Sequence, residues 1–310
     1  MSEDRAHRSE IDRLKELIRQ SGFPLQIEIA SFLNAARAHM NWADMEVSTG
    51  AYYLDKETKK GRELDIKVNI PIRYAEKVKK HIGIFLKLLI QCKRIPGNVW
   101  VFFKTSHEIV SVPNCTSLLD SLDWTPRSHV DFAFFPDLHY RHVTKVTLHD
   151  EYILDEKKSN KRVDNLFEAT ITLAKATSYE LDNTARGFKS YLDRFEDILK
   201  YPDDSAELFY PIVVFDGKMF LAEKTGEYGE MSLDSIDHVC LFFDYVSGNY
   251  DIDLSVDVVQ KDAFGNFFQS IVNDVENLRK TLETDIGIKF REEVMRALTW
   301  YVGTRDQKYK

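Results

Sequence analysis

The stretch IFLKLLIQCKRI, residues 84–95, constrains the fold more than any other part of the chain. It is apolar apart from Lys87 until it reaches Gln91, Lys93 and Arg94. A strand with one wet face alternates apolar and polar residues. A near-continuous apolar run instead marks a central strand covered on both faces. The polar end marks where such a strand emerges at an active-site edge. The apolar part, 84–90, is far too short to span a bilayer.

Two strands are expected before it. Residues 45–54 (MEVSTGAYYL) read as one strand and 62–72 (RELDIKVNIPI) as a second, joined by the polar, glycine-containing turn DKETKKG. Ahead of them, apolar residues at Ile11, Leu14, Leu17 and Ile18 have helical spacing. Phe23 and Pro24 end that pattern. A second helix over 26–39 presents Ile27, Phe32, Leu33 and Ala36 as its face and carries Glu28 near its start. After the central run, 98–105 reads as a further strand or a continuation of the same one. Residues 159–198 are helix-rich, and 209–223 read as strand, Asp216-Gly217 turn, strand. HVCLFFDYV and DIDLSVDVV read as two more strands, followed by helices to the end of the sequence.

Side chains two apart on a strand share a face. Gln91 and Lys93 therefore point into one space, and Glu63 and Asp65 share a side of their own strand. These are the groups that phosphodiester hydrolysis needs. A hard divalent cation takes oxygen ligands, neutralises the phosphate and acidifies an attacking water. Asp65 offers a carboxylate, Gln91 an amide carbonyl and Cys92 its main-chain carbonyl, while Glu28 offers a further carboxylate. Lys93 is suited to orienting the water or stabilising developing charge.

The order helix with Glu28, hairpin, Asp65, then Q-x-K on an apolar strand resembles the PD-(D/E)xK, or restriction-endonuclease-like, nuclease superfamily in a Q-x-K variant. YYLDKETKKGRELDI followed by LLIQCKRI carries the resemblance, which runs over about 20–105, with the helix at 159–180 and the strand at 210–215 completing the core. It implies an α/β fold: a mixed central β-sheet flanked by helices, a restriction-endonuclease-like core with insertions. It implies catalysis by Asp65, Gln91 and Lys93 with Glu28, and Mg²⁺ or Mn²⁺ bound by Asp65, Gln91, the Cys92 carbonyl and Glu28. It further implies a DNA substrate and a setting in restriction or anti-phage defence, with a defence-system partner protein. A homodimer would let two sites cut both strands, although the sequence does not itself show one. Two departures stand out: Gln91 replaces the commoner Asp or Glu, and the long separation from Asp65 implies an insertion around RYAEKVKKHIG.

The chain has 50 acidic and 42 basic residues, for a net charge of -8. That balance argues against tight nonspecific coating of DNA but leaves room for local phosphate contacts at Lys59, Lys60, Arg62 and Arg94. Glu63 reads as a supporting or salt-bridging neighbour of Asp65. A catalytically inactive nuclease-fold protein, acting as a nucleic-acid-binding or interaction module, is the alternative reading. HYRH (139–142) with His149 reads as surface histidines, and the run containing Phe132, Phe134, Phe135 and Tyr140 as core or dimer contact. The three cysteines, Cys92, Cys115 and Cys240, form no CxxC pair. A reducing cytoplasm and no membrane partner are expected. No linker-like tract divides the chain. One elaborated domain over 1–310 is therefore expected, its core at about 20–105 plus 159–220, an insertion at 106–158, and strands and helices over 235–310. GxxxxGK[ST], GxGxxG and GxSxG are missing.

Overall fold

The apolar run lies inside a much longer strand. The computed structural model describes residues 11–18, 21–40, 42–72, 83–104, 114–117, 138–153, 164–192, 204–225 and 230–284. Helix α1 spans 11–18 and α2 spans Phe23–His39. Strands β1 (Glu46–Leu54), β2 (Gly61–Ile72) and β3 (Gly83–Lys104) follow. β4 is Asn114–Ser117 and β5 is Lys145–Ile153. Helix α3, Asn165–Leu192, leads into β6, Asp204–Lys224. β7 (Met231–Ser235), β8 (His238–Ser247), β9 (Tyr250–Gln260) and helix α4 (Phe264–Leu282) complete the described elements. Among these residues no helix is long and apolar enough to cross a membrane. The RYAEKVKKHIG segment lies almost wholly outside the described residues, as do most of 106–158, Phe132, Phe134, Phe135 and the last expected helix.

All nine strands join one mixed sheet. β1, β2 and β3 form an antiparallel meander, and β6 runs parallel beside β3. Parallel neighbours need a crossover, and α3 lies on the connection between them. Past its midpoint β3 pairs with β5, β5 with β8, β8 with β9, and β9 with β6. The ring β3–β5–β8–β9–β6 therefore closes on itself. The architecture is mixed α/β, a multi-strand sheet with flanking helices, one part of which curls into a five-strand barrel.

The core lies on both sides of β3. Ile84, Leu86, Leu88, Ile90 and Cys92 pack with α2 and α4, while Leu89, Trp100 and Phe102 pack with α3 and the barrel strands. Lys67 and Lys87 reach Glu180 of α3, at 2.7 and 3.4 Å, on the α3 side of the sheet. The stripe expected on α2 is corrected. Its buried face is Leu25, Gln26, Ile29, Ala30 and Leu33, whereas Ile27 is 64% exposed. Pro24 does not interrupt the helix but sits in its first turn, where no N–H is missed.

The hairpin expected at Asp216-Gly217 does not form. β6 continues through both residues because β3 stays beside it. Arg94 pairs with Asp216, and pairing resumes at Val99 with Lys218 after a bulge. Gly217 lies over its own neighbour's ring: a Cβ there would come within 2.3 Å of Phe215 Cζ. That ring is stacked on Trp100 at 3.7 Å.

Candidate active site

The ladders part at Asp65. β2 and β3 pair from Ile72 with Ile84 to Ile66 with Ile90. Beyond that rung β2 keeps only β1 as its partner, while β3 stays paired with β6 through Gln91, Cys92 and Lys93. The Asp65 side chain fills the opening. Its Oδ2 accepts a hydrogen bond of 2.6 Å from the Cys92 N–H. From the opposite layer, Gln26 Nε2 donates to the Asp65 carbonyl at 2.7 Å. The strand is thus held on both sides at the residue where it leaves its neighbour.

Alternation along β3 puts Gln91 and Lys93 on the face of Lys87, toward α3, and sends Cys92 into the core of α2 and α4. Burial pushes the Asp65 carboxyl above its ordinary range, against the lowering effects of the Cys92 N–H and the Lys93 charge; Glu63 adds to the rise. Burial also pushes the Cys92 thiol far up, so its contribution is main-chain rather than nucleophilic. Gln91 is 6% exposed, and its Nε2 is buried without a hydrogen-bond partner. Buried polar atoms of this kind are uncommon in folded proteins.

Glu28 does not join this group. Its carboxylate lies 2.9 Å from Lys261 Nζ, with the side chain 56% exposed. Residues two apart on a helix point about 200° apart, so burying Gln26 turns Glu28 outward. The α2 residue at the site is Gln26, which the sequence reading passed over. The i, i+4, i+8 spacing of Leu25, Ile29 and Leu33, with Gln26 beside it, is the signal that identifies it.

Two of the four basic candidates are engaged in ion pairs. Arg94 Nε lies 3.2 Å from Asp216 Oδ2, and Arg62 Nε lies 3.8 Å from Asp55 Oδ2. Lys59 sits in the β1–β2 turn with φ 56°, and Lys60 beside it is exposed. That turn is tied down by Asp55, which accepts from the Glu57 N–H and the Thr58 hydroxyl and is paired with Lys175 of α3 at 3.2 Å. These bonds outweigh the effect of burial and hold the Asp55 carboxyl down at about 2.

Among the described residues no three His, Cys, Asp or Glu side chains gather as a metal-binding group. The oxygen donors expected at the site are the Asp65 carboxylate, the Gln91 amide and the Cys92 carbonyl; of these residues the structure ties Asp65 to Cys92, through the Cys92 N–H. A second polar cluster, built from His139, His238, Asp257 and Asp274, shares none of these residues. His139 is 8% exposed, which corrects the surface reading for that histidine, whereas His142 is exposed as expected; Tyr140 is core at 1%. Comparison with family models, curated proteins and solved structures finds no match for this chain.

Proposed function

We propose that the protein is a metal-dependent endonuclease that hydrolyses phosphodiester bonds in DNA, with its site at Asp65, Gln91 and Lys93. The observation that carries this reading is the Asp65 carboxylate, held by the Cys92 N–H where β2 and β3 part, next to the stretch of β3 that carries Gln91 and Lys93. The element order also supports a restriction-endonuclease-like core: α2, the β1–β2 hairpin, β3, α3, then β6 parallel to β3. Restriction or anti-phage defence is the setting to which the resemblance points.

The donor set suits Mg²⁺ or Mn²⁺. Asp65 has one oxygen on the Cys92 N–H, leaving the other to bind; Gln91 would add its amide oxygen, while its Nε2 is the buried group with no partner among the described residues. Mg²⁺ keeps several waters and often takes only one or two carboxylates. When bound, the cation supplies charge neutralisation at the phosphate and a water of lowered pKa. Gln26 and the Cys92 N–H fix Asp65 in place, and Lys93 places a cationic donor where negative charge develops.

The test is cleavage of plasmid and oligonucleotide DNA with Mg²⁺ or Mn²⁺. Asp65→Ala and Lys93→Ala should each lose on the order of 100-fold or more in rate, the scale of removing one transition-state donor. Glu28→Ala should keep its activity. Cleavage persisting in both Asp65→Ala and Lys93→Ala refutes the assignment. One feature favours the second reading, a non-catalytic nucleic-acid-binding module: the site joins a single half-buried carboxylate to a neutral amide, in a chain of net charge -8. DNA binding without cleavage of any substrate would decide for it.

A further inference from the structure

The second polar cluster is a relay that ends in a groove. Asp257 of β9 is fully buried. Its Oδ1 lies 2.9 Å from Nε2 of His238, at the start of β8, and its Oδ2 lies 3.1 Å from Nε2 of His139. Nδ1 of His139 lies 2.5 Å from Oδ2 of Asp274 on α4. Asp274 also accepts from the His139 main-chain N–H at 2.9 Å and the Tyr210 hydroxyl at 3.2 Å. Both ring nitrogens of His139 therefore face carboxylate oxygens, and both donate only if the ring is an imidazolium. Burial alone opposes that charge, but Asp257 and Asp274 raise the pKa to about 9.

His238 stands at the other end. Asp257 occupies its Nε2, so Nδ1 is the nitrogen left for a ligand. His238 lines a groove of about 460 Å³ with His142 and with Ser270, Asn273 and Asn277 from one face of α4. Among the described residues lining this groove none is Lys, Arg or Glu, so a phosphate meets no lysine or arginine there, and the Asp274 carboxylate is already engaged by the His139 ring, the His139 main-chain N–H and the Tyr210 hydroxyl. What remains is a polar surface of amides, imidazoles and a hydroxyl, within the size range of small-molecule pockets; the Ser270 hydroxyl gives its proton to the Phe267 carbonyl at 2.6 Å, and Asn273 Oδ1 takes only a long 3.4 Å bond from Gln269 Nε2.

We propose that this groove binds an uncharged nucleoside-like heterocycle, which donates an N–H to His238 Nδ1 and pairs its polar edge with the Asn273 amide. An amide side chain matches the donor–acceptor edge of a base because it carries both functions on one plane. The proposal stands apart from the reading of Asp65 and does not depend on it.

The test uses adenosine, guanosine, cytidine and thymidine as probes of the full chain, by saturation-transfer NMR and calorimetry, beside their 5′-monophosphates. At least one nucleoside should bind, and its monophosphate should bind no more tightly. Asn273→Ala removes an exposed side chain from α4, and His238→Gln keeps a donor for Asp257 while losing the groove-facing acceptor. Each should weaken binding about tenfold, the size of one hydrogen bond lost, with unchanged circular dichroism. Asp65→Ala should bind as the wild type does. Absence of binding by all four nucleosides at millimolar concentration overturns the proposal. So does unchanged affinity in both groove variants, tighter binding of the monophosphate, or loss of binding in Asp65→Ala.

Discussion

The relay around His139 makes the stability of the fold depend on pH in a direction its geometry fixes. The ring carries its ordinary value of 6.5 in the unfolded chain and about 9 in the folded one. At about 1.4 kcal/mol for each pH unit between the two, the proton on His139 stabilises the fold by about 3 kcal/mol. A raised value places this contribution in full below pH 6.5. It is lost progressively as pH rises to about 9. Asp257, held down from 3.8 to about 2, reports the same attraction from the other partner, so the two figures are not added. Its contribution is present above pH 3.8 and is lost as pH falls through about 2. Urea unfolding of the wild type and of His139→Gln, from pH 6 to 9.5, isolates the effect. The stability difference between them should fall by about 3 kcal/mol over that window, with a slope near 1.4 kcal/mol per pH unit. In a chain of this size that corresponds to a change of about 5 °C in melting temperature. Titrations shared by both proteins cancel in the difference when they lie far from the relay. A flat difference between pH 6.5 and 9 would mean that His139 is not an imidazolium between two carboxylates, and the reasoning would fail.

Three further outcomes follow from the same physical terms. Gly217→Ala should destabilise by about 1–3 kcal/mol in urea unfolding, because the new Cβ falls 2.3 Å from a Phe215 ring that is stacked on Trp100 and cannot slide freely. Lys175→Met should cost about 2 kcal/mol at neutral pH, since it strips the nearer of two cations from Asp55, which is 2% exposed, and leaves only Arg62 at 3.8 Å; the loss should shrink as pH falls from 3.8 through about 2 and Asp55 protonates. If the endonuclease reading holds, the acid limb of cleavage should lie above the usual carboxylate range and move to lower pH as Mg²⁺ is raised, because cation and proton compete for an Asp65 whose pKa burial raises; a limb independent of Mg²⁺ would contradict this.

Much of the sheet was legible because period-2 alternation and apolar runs are local signals. The β1–β2 hairpin, the buried first half of β3, β8 and β9 all follow from such patterns. The errors have a common cause in contacts that are distant in sequence. Asp216-Gly217 reads as a turn in isolation, yet a parallel neighbour with its own bulge at Ile95–Asn98 carries β6 straight through. Glu28 reads as the metal-binding residue of α2 for its charge, whereas the helix face that docks against β2 brings Gln26 to Asp65. His139 sits in a polar-looking HYRH segment, and its burial depends on Asp257 and Asp274, more than a hundred residues away. The closed ring likewise rests on the β5–β8 and β6–β9 pairings, which no short window of sequence encodes.

β3 explains why the candidate site and the barrel belong to one structure. Its first half pairs with β2 and β6 and carries Gln91 and Lys93; its second half pairs with β5 and β6 and carries Trp100 and Phe102 into the barrel core. Between the halves lies the bulge, with Gly97 at φ 86°. At Gln91 the strand has lost β2 but keeps β6, so one edge opens while the other remains pinned. An opening made in this way exposes main-chain groups of β3 to the space beside Asp65, and the Cys92 N–H is already used by that carboxylate. Rigid strands hold such groups more accurately than loops do. The neutral amide at Gln91 then leaves Asp65 to supply the negative charge of the site, which is why its burial, its Cys92 bond and the neighbouring Lys93 together set what the site can bind.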